Sequence, residues 1–280
     1  MFIKTVFNNN SIIAINEKNE ELVLFGCGIG FKASKGNQVD DSKIEKTFTL
    51  TEDNNEATNR LSKLLVNIPD EITSVSFKVI EYIENNSKKE LSNFLYVTLM
   101  DHINMAVKLY KDNITNPNLM MYEIQKYYPE EFELAERSRK FINENLGIEL
   151  SEYEIGHIAL HIINAQINNN NNSYDLSALD LTKKIKDIVN IIRLRFKLKF
   201  ENDSLLYDRL IYHLKYLILS ISSQEHEKTD VELDSDMINS LFKKYPDVLK
   251  CVIKVEHYLQ TELNMNEKFF LMIHIIRVLK

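Results

Sequence analysis

Four of the chain's seven histidines, His102, His161, His213 and His274, lie inside strongly apolar runs with helical spacing. An imidazole in such a place has three uses. It can be a core residue satisfied by one hydrogen bond, it can bind a metal, or it can accept a phosphoryl group, because the neutral ring is a good nucleophile near neutral pH. Phosphohistidine would add charge and acceptors to an apolar seam, which can make or break a helix–helix contact. The spacing argues against metal. His102 and His213 have no carboxylate or second histidine three or four residues away, the spacing of helical metal ligands. His157 and His161 are four apart and could chelate. Asp101, beside His102, either orients that ring through a hydrogen bond or sits at the solvent edge.

The four histidines occupy matching places in an internal repeat. "FLYVTLMDHINMAV" (94–107) aligns with "LLYDRLIYHLKYLI" (205–218), so that His102 meets His213. The two Tyr-Pro segments, Tyr128–Pro129 and Tyr245–Pro246, align next. "EIGHIALHII" then aligns with "EKFFLMIHII", pairing Glu154 with Glu267 and His161 with His274. Phe270 stands where the first copy has His157, so the four-residue histidine pair is not shared by the repeat.

The elements that carry this repeat follow from the spacing of apolar residues. From about residue 57 onward, Leu, Ile, Tyr and Phe recur every three or four residues, as at Leu61, Leu64, Leu65 and Ile68, which is the pattern of amphipathic helices. The first fifty residues read differently. "FIKTVF", "SIIAIN", "ELVLF" and "KTFTL" are short β-branched or aromatic runs, the first three separated by the turn compositions "NNN" and "EKNE". They predict a small antiparallel sheet that dimerisation would help to stabilise. "TEDNNEAT" and the run Asn168 to Asn172 read as linkers. We therefore expect a multidomain chain: a β domain over 1–56 and two homologous all-α helical bundles over 57–170 and 171–280.

Composition limits the function classes. Apolar residues make up 44 % and charged residues 27 %, an ordinary globular balance. The net charge of −7 gives no global field for a polyanion, though a compact RNA site is compatible with it. Two distant cysteines, Cys27 and Cys251, form neither a disulfide framework nor a cysteine zinc site and suggest a reducing cytoplasm. The N-terminus shows no apolar run followed by a small-residue cleavage site, and no uncharged apolar run reaches membrane-spanning length.

Four of the six glycines, Gly26, Gly28, Gly30 and Gly36, lie within eleven residues, around "GCGIGF". A dinucleotide loop would need a helix directly after them. "FKASKGNQVDD" follows instead and has no helical periodicity. The chain also lacks GK[ST], GxSxG and any Cys/His nucleophile setting, so we expect neither an enzyme nor a cofactor.

With these modules in order, the chain resembles bacterial transcriptional antiterminators of the BglG/SacY/LicT family over essentially its whole length. "NNNSIIAI…EELVLFGCGIGFKASKGNQVD…IEKTFTL" resembles the family's co-antiterminator RNA-binding domain. "VTLMDHIN", "IALHIINAQ", "YHLKY" and "MIHIIRV" resemble the histidine segments of two tandem regulation domains of the sugar phosphotransferase system. The resemblance implies a homodimer that grips a leader RNA hairpin of a sugar operon, most similar to the β-glucoside type, and blocks an overlapping terminator. It implies RNA contacts at Lys4, Thr5, Asn8, Asn10, Gly26, Cys27, Gly28 and Phe31. It also implies phosphorylation of His102 and His161 when the enzyme II permease is idle, which inhibits. Phosphorylation of His213 and His274 by the phosphocarrier protein HPr would activate.

Many members carry a basic residue where Cys27 stands and a lysine near Thr5, here offset to Lys4. Residues 1–50 hold six lysines and six acidic residues, so RNA binding should lean on shape and stacking more than on charge. The alternative reading is a helical interaction and dimerisation regulator with no RNA binding. A related activator class with a helix-turn-helix is disfavoured by the β pattern of the first fifty residues.

Overall fold

A computed structural model describes residues 1–49, 63–167, 176–198, 205–222 and 234–279. Both expected linkers, 51–58 and 168–172, and both expected domain boundaries fall outside these residues.

The four expected strands are present: β1 (Phe2–Asn8), β2 (Ser11–Ile15), β3 (Glu21–Phe25) and β4 (Lys46–Thr49). They form an antiparallel meander in the order β1-β2-β3-β4. The β2–β3 turn is built by Asn16, whose side-chain oxygen accepts from the Lys18 and Glu20 N–H groups, with Asn19 at φ 62°. Asparagine tolerates that left-handed conformation and mimics a backbone turn.

Strand β3 explains how so small a sheet is stabilised. Leu22 and Leu24 share a core with Ile3, Ile12, Ala14, Ile29 and Val39. Val23 and Phe25 alternate to the other face, where Val23 is paired with Phe48. Both faces are buried, so β3 reads as a continuous apolar run.

The second face is covered by the chain's own helices within one compact unit, Met1–Met121 with Glu130–Asn169. Helices α1 (Asp70–Asn86) and α2 (Phe94–Lys111) supply the cover. Phe25 lies 3.7 Å from Phe77 between ring centroids, and Phe48 meets Tyr96 edge-on at 4.9 Å. Lys46 pairs with Glu84 at 2.9 Å, and the Tyr96 hydroxyl donates to the same carboxylate at 2.8 Å. The sheet thus gains from helical packing some of the burial for which the sequence pattern suggested a partner copy.

The same unit contains α4 (Pro129–Leu146) from Glu130 onward and α5 (Tyr153–Ile167). The second unit comprises Tyr122–Pro129 and Asn170–Lys280. It holds most of α3 (Met121–Tyr127), and α6 (Ala178–Phe196), α7 (Leu205–Ser222), α8 (Ser235–Lys244), α9 (Pro246–Leu259) and α10 (Met265–Val278). Residues 122–129, which the repeat assigns to the first helical copy, pack inside this unit. Glu123 pairs with Lys186 at 2.7 Å, and the Lys126 ammonium sits 4.3 Å from the Tyr207 ring centroid.

The helix ends carry ordinary stop and start chemistry. The Ser177 hydroxyl accepts from Asp180 N–H to begin α6. Asn264 and Glu267 form a reciprocal capping box at α10. The aligned repeat segments become matching helices: α2 and α7, α4 and α9, α5 and α10. In each copy the first and last of these pack together, and that seam carries the histidines.

Candidate nucleic-acid interface and histidine seams

Loop 26–31 and turn 8–10 form one knot at the end of the sheet. Asn8 Oδ1 accepts from the Asn10 N–H (3.0 Å) and from the Ser11 hydroxyl (2.7 Å). Asn10 Oδ1 in turn accepts from the Gly28 N–H at 2.9 Å. Backbone bonds from Gly26 N–H to Asn10 and from Gly30 N–H to Asn9 close the knot.

Two glycines are explained by this packing. A Cβ on Gly26 would lie 1.5 Å from the Lys43 carbonyl oxygen, and one on Gly30 would lie 2.0 Å from the Asn8 carbonyl oxygen. The family resemblance implies RNA contacts at Gly26 and Gly28. Gly26 and Gly30 let the chain approach itself. Gly28 differs: it has φ +69° and open space around it, so it is the glycine needed for its backbone conformation.

The knot sorts the expected RNA contacts. Phe31 is 59 % exposed, with the Lys32 ammonium 5.3 Å from its ring centroid. Asn10 spends its oxygen on Gly28, and its amide N–H₂ makes no hydrogen bond among the described residues. That leaves a donor pair for a base edge. Asn8 is different: its oxygen holds the turn and its nitrogen is buried without a partner, so it positions Asn10. Cys27 is exposed, with its N–H given to Glu45 at 3.0 Å. Thr5 is exposed on β1, and Lys4 is ion-paired with Glu21.

Sequence reasoning missed Lys43, whose ammonium lies 3.4 Å from the Gly28 carbonyl. It places a positive charge at the loop that Cys27 leaves uncharged. It arrives from a 3₁₀ turn (Asp41–Lys43) fifteen residues downstream, which no local motif signals.

The two histidines that the repeat places in each copy meet across a helix pair. In the first copy, His102 on α2 lies 4.8 Å from His161 on α5 between ring centroids, with His157 at 5.7 Å from His102. In the second, His213 on α7 stacks on His274 of α10 at 4.5 Å and 22°. Burial in the apolar seam pushes the His161 ring down to about 3, helped by His102 and His157. Burial likewise pushes His213 down to about 4, with His274 adding to it. His274 is lowered by burial, then by the Arg277 and Arg209 charges. These three rings are therefore neutral near pH 7, the state in which imidazole is a nucleophile.

The partner of His102 is Glu154, whose carboxylate lies 2.8 Å from Nε2. This corrects the assignment of an orienting role to Asp101, which is exposed on α2. Adjacent residues on a helix point about 100° apart, whereas Glu154 projects across the seam from α5. The repeat alignment held the signal, because Glu154 meets Glu267. Glu267 instead accepts from Asn264 N–H at its own helix cap, and His213 Nε2 is buried without a hydrogen-bond partner. His157 faces the Asn116 carbonyl at 3.3 Å. Among the described residues no three His, Cys, Asp or Glu side chains are grouped to hold a metal.

Residues 1–57 match the CAT RNA binding domain, and residues 77–165 and 186–278 each match the PRD domain. The chain belongs to the antiterminator family that joins these domains. It is 33 % identical to the transcription antiterminator LicT of Bacillus subtilis (strain 168), over 100 % of this chain and 99 % of that protein. It is 31 % identical to the beta-glucoside operon antiterminator of Dickeya chrysanthemi, over 99 % and 96 % of the two chains. The crystal structure of GlcT CAT-PRDI superposes with a TM-score of 0.54 at 35 % identity, covering 59 % of this chain and 97 % of that one. Members of this antiterminator family are regulators of transcription and not enzymes, so "GCGIGF" is a loop of the CAT domain.

Two outcomes follow from the geometry. Gly26→Ala should cost about 2 kcal/mol through its clash with the Lys43 carbonyl, read as a lower unfolding temperature. Because the folded values of His161 and His213 lie below that of a free histidine, the unfolded chain binds protons first as pH falls. Their contribution is complete above about pH 6.5 and shrinks by up to about 1 kcal/mol per pH unit per ring towards about pH 4. Thermal unfolding from about pH 7.5 down to about 5 should show this loss, and His213→Gln should flatten the curve.

Proposed function

We propose that this antiterminator binds the leader RNA hairpin of a sugar-utilisation operon, of the β-glucoside class, in the cytoplasm. A homodimer of its CAT domain holds the hairpin and prevents an overlapping terminator from forming. The observation that carries this reading is the knot of loop 26–31 and turn 8–10. It holds an exposed Phe31 ring and an Asn10 amide N–H₂ that makes no hydrogen bond among the described residues. Splayed bases of an RNA loop stack on aromatic rings and are read by such amides. Lys43 supplies local charge for the phosphates in a domain with no net positive field.

Regulation follows from the seams. His102 and His161 accept phosphoryl groups passed from a sugar-specific enzyme II, and this inhibits. His213 and His274 accept them from HPr, and this activates. The neutral rings of His161, His213 and His274 support that role, since a lone pair is available for attack at neutral pH. The protein is then a phosphoryl acceptor with no turnover of its own.

Phe31→Ala should weaken binding of the full chain to its leader hairpin about tenfold or more, the loss of one stacked base, while leaving the unfolding temperature unchanged. Gel shifts with the leader found upstream of its operon measure this, and undiminished affinity would remove Phe31 from the interface. In a leader–reporter strain, His102→Ala and His161→Ala should give readthrough without sugar. His213→Ala and His274→Ala should lower readthrough with sugar. Equal readthrough in all four variants would contradict the phosphoryl-acceptor role.

A further inference from the structure

The two histidine seams have opposite electrostatic surroundings. Arg209 lies four residues before His213 on α7, and Arg277 three residues after His274 on α10. Those spacings put each arginine on the same helix face as its histidine. The two rings stack at 4.5 Å, so both guanidinium groups border one seam. Their charge reaches His274, whose affinity for a proton they lower.

Neither arginine forms a salt bridge among the described residues, although acidic residues outnumber basic ones in the chain, 41 to 34. In the first copy the aligned positions are Thr98 and Asn164, both uncharged, and the carboxylate of Glu154 stands against His102. An unpaired arginine pair at the rim of a neutral histidine pair lacks an anion. Planar guanidinium groups hold phosphoryl oxygens through paired, charge-assisted hydrogen bonds.

We propose that Arg209 and Arg277 form the receiving site for a phosphoryl group on His274, tying α7 to α10 once it is attached. The inference rests on the phosphoryl-acceptor reading above and adds the residues that convert modification into closure. The first copy has no such site, so the same modification there meets an acidic neighbour and gains no clamp.

The test uses the full chain and potassium phosphoramidate, a small histidine phosphorylating agent. In the transfer, the lone pair of one imidazole nitrogen forms an N–P bond. The donor's P–N bond breaks, and ammonia leaves with the hydrogens it already carries. The other ring nitrogen keeps its hydrogen. Mass spectrometry assigns the modified histidines, and hydrogen exchange reads the helices.

Phosphorylation at His274 should slow amide exchange in α7 and α10 about tenfold or more, the scale of a few charge-assisted bonds. α2 and α5 should not slow. Arg209→Gln with Arg277→Gln should still accept the phosphoryl group but lose the slowing. High salt should weaken the effect in the native chain. Equal or faster exchange in α7 and α10 on modification, or equal slowing in the double variant, would overturn the clamp while leaving the acceptor role intact. If His213 and His274 stay unmodified while a denatured sample of the chain is labelled at both, the acceptor reading falls and the clamp with it.

Discussion

An imidazole can be buried among aliphatic side chains only if it is neutral or paired, and this constraint organises both helical modules. Desolvation penalises the charged ring far more than the neutral one. His161, His213 and His274 meet it by staying neutral. His102 meets it by facing Glu154 across the seam. The two solutions leave different chemistry behind. A neutral stacked pair keeps its lone pairs available, whereas a ring held by a carboxylate joins two helices through one bond. A seam that tolerates only neutral rings is also one in which a phosphoryl group, with about two negative charges at neutral pH, cannot be ignored by the packing around it.

The RNA-binding end obeys a different constraint, that of backbone packing. The knot of turn 8–10 and loop 26–31 is held almost wholly by main-chain groups and two asparagine carbonyls. Such a base is rigid without being charged, which suits a domain with no excess of lysine. Around it stand one exposed aromatic ring, one amide, and the Lys32 and Lys43 ammonium groups. Recognition by shape and stacking needs little more, provided the groups do not move relative to each other.

Much of this was legible in the sequence because it depends on local period and composition. The β runs and turn asparagines of the first fifty residues became the four strands and their turns, and the repeat placed the histidines at matching positions of two helical copies. What stayed hidden depended on contacts between distant segments. Gly26 and Gly30 look like ligand-approach glycines until Lys43 and Asn8 are seen beneath them. Asp101 looks like the partner of His102 because it is adjacent, yet adjacency on a helix is divergence in space. The cover on the outer face of β3 was equally invisible, since a run of four apolar residues does not say what it packs against. The affiliation of residues 122–129 with the second unit breaks the repeat's own logic, and only tertiary packing records it.

The divergence between the two copies is most informative where their shared scaffold makes it unnecessary. Both retain the facing histidines and a glutamate at the start of the last helix, so the seam's geometry alone does not explain why Thr98 and Asn164 in one copy are arginines in the other. Burial does not explain it either, since Arg209 and Arg277 are both exposed. A change confined to the charged rim of an otherwise equivalent pair alters one property: the sign of the field that an added anion would meet. Near Glu154 that field opposes an anion, and near Arg209 and Arg277 it favours one. One modification chemistry applied to one fold can therefore have opposite mechanical consequences in the two halves of a single chain. The switch then needs no difference in the histidines themselves.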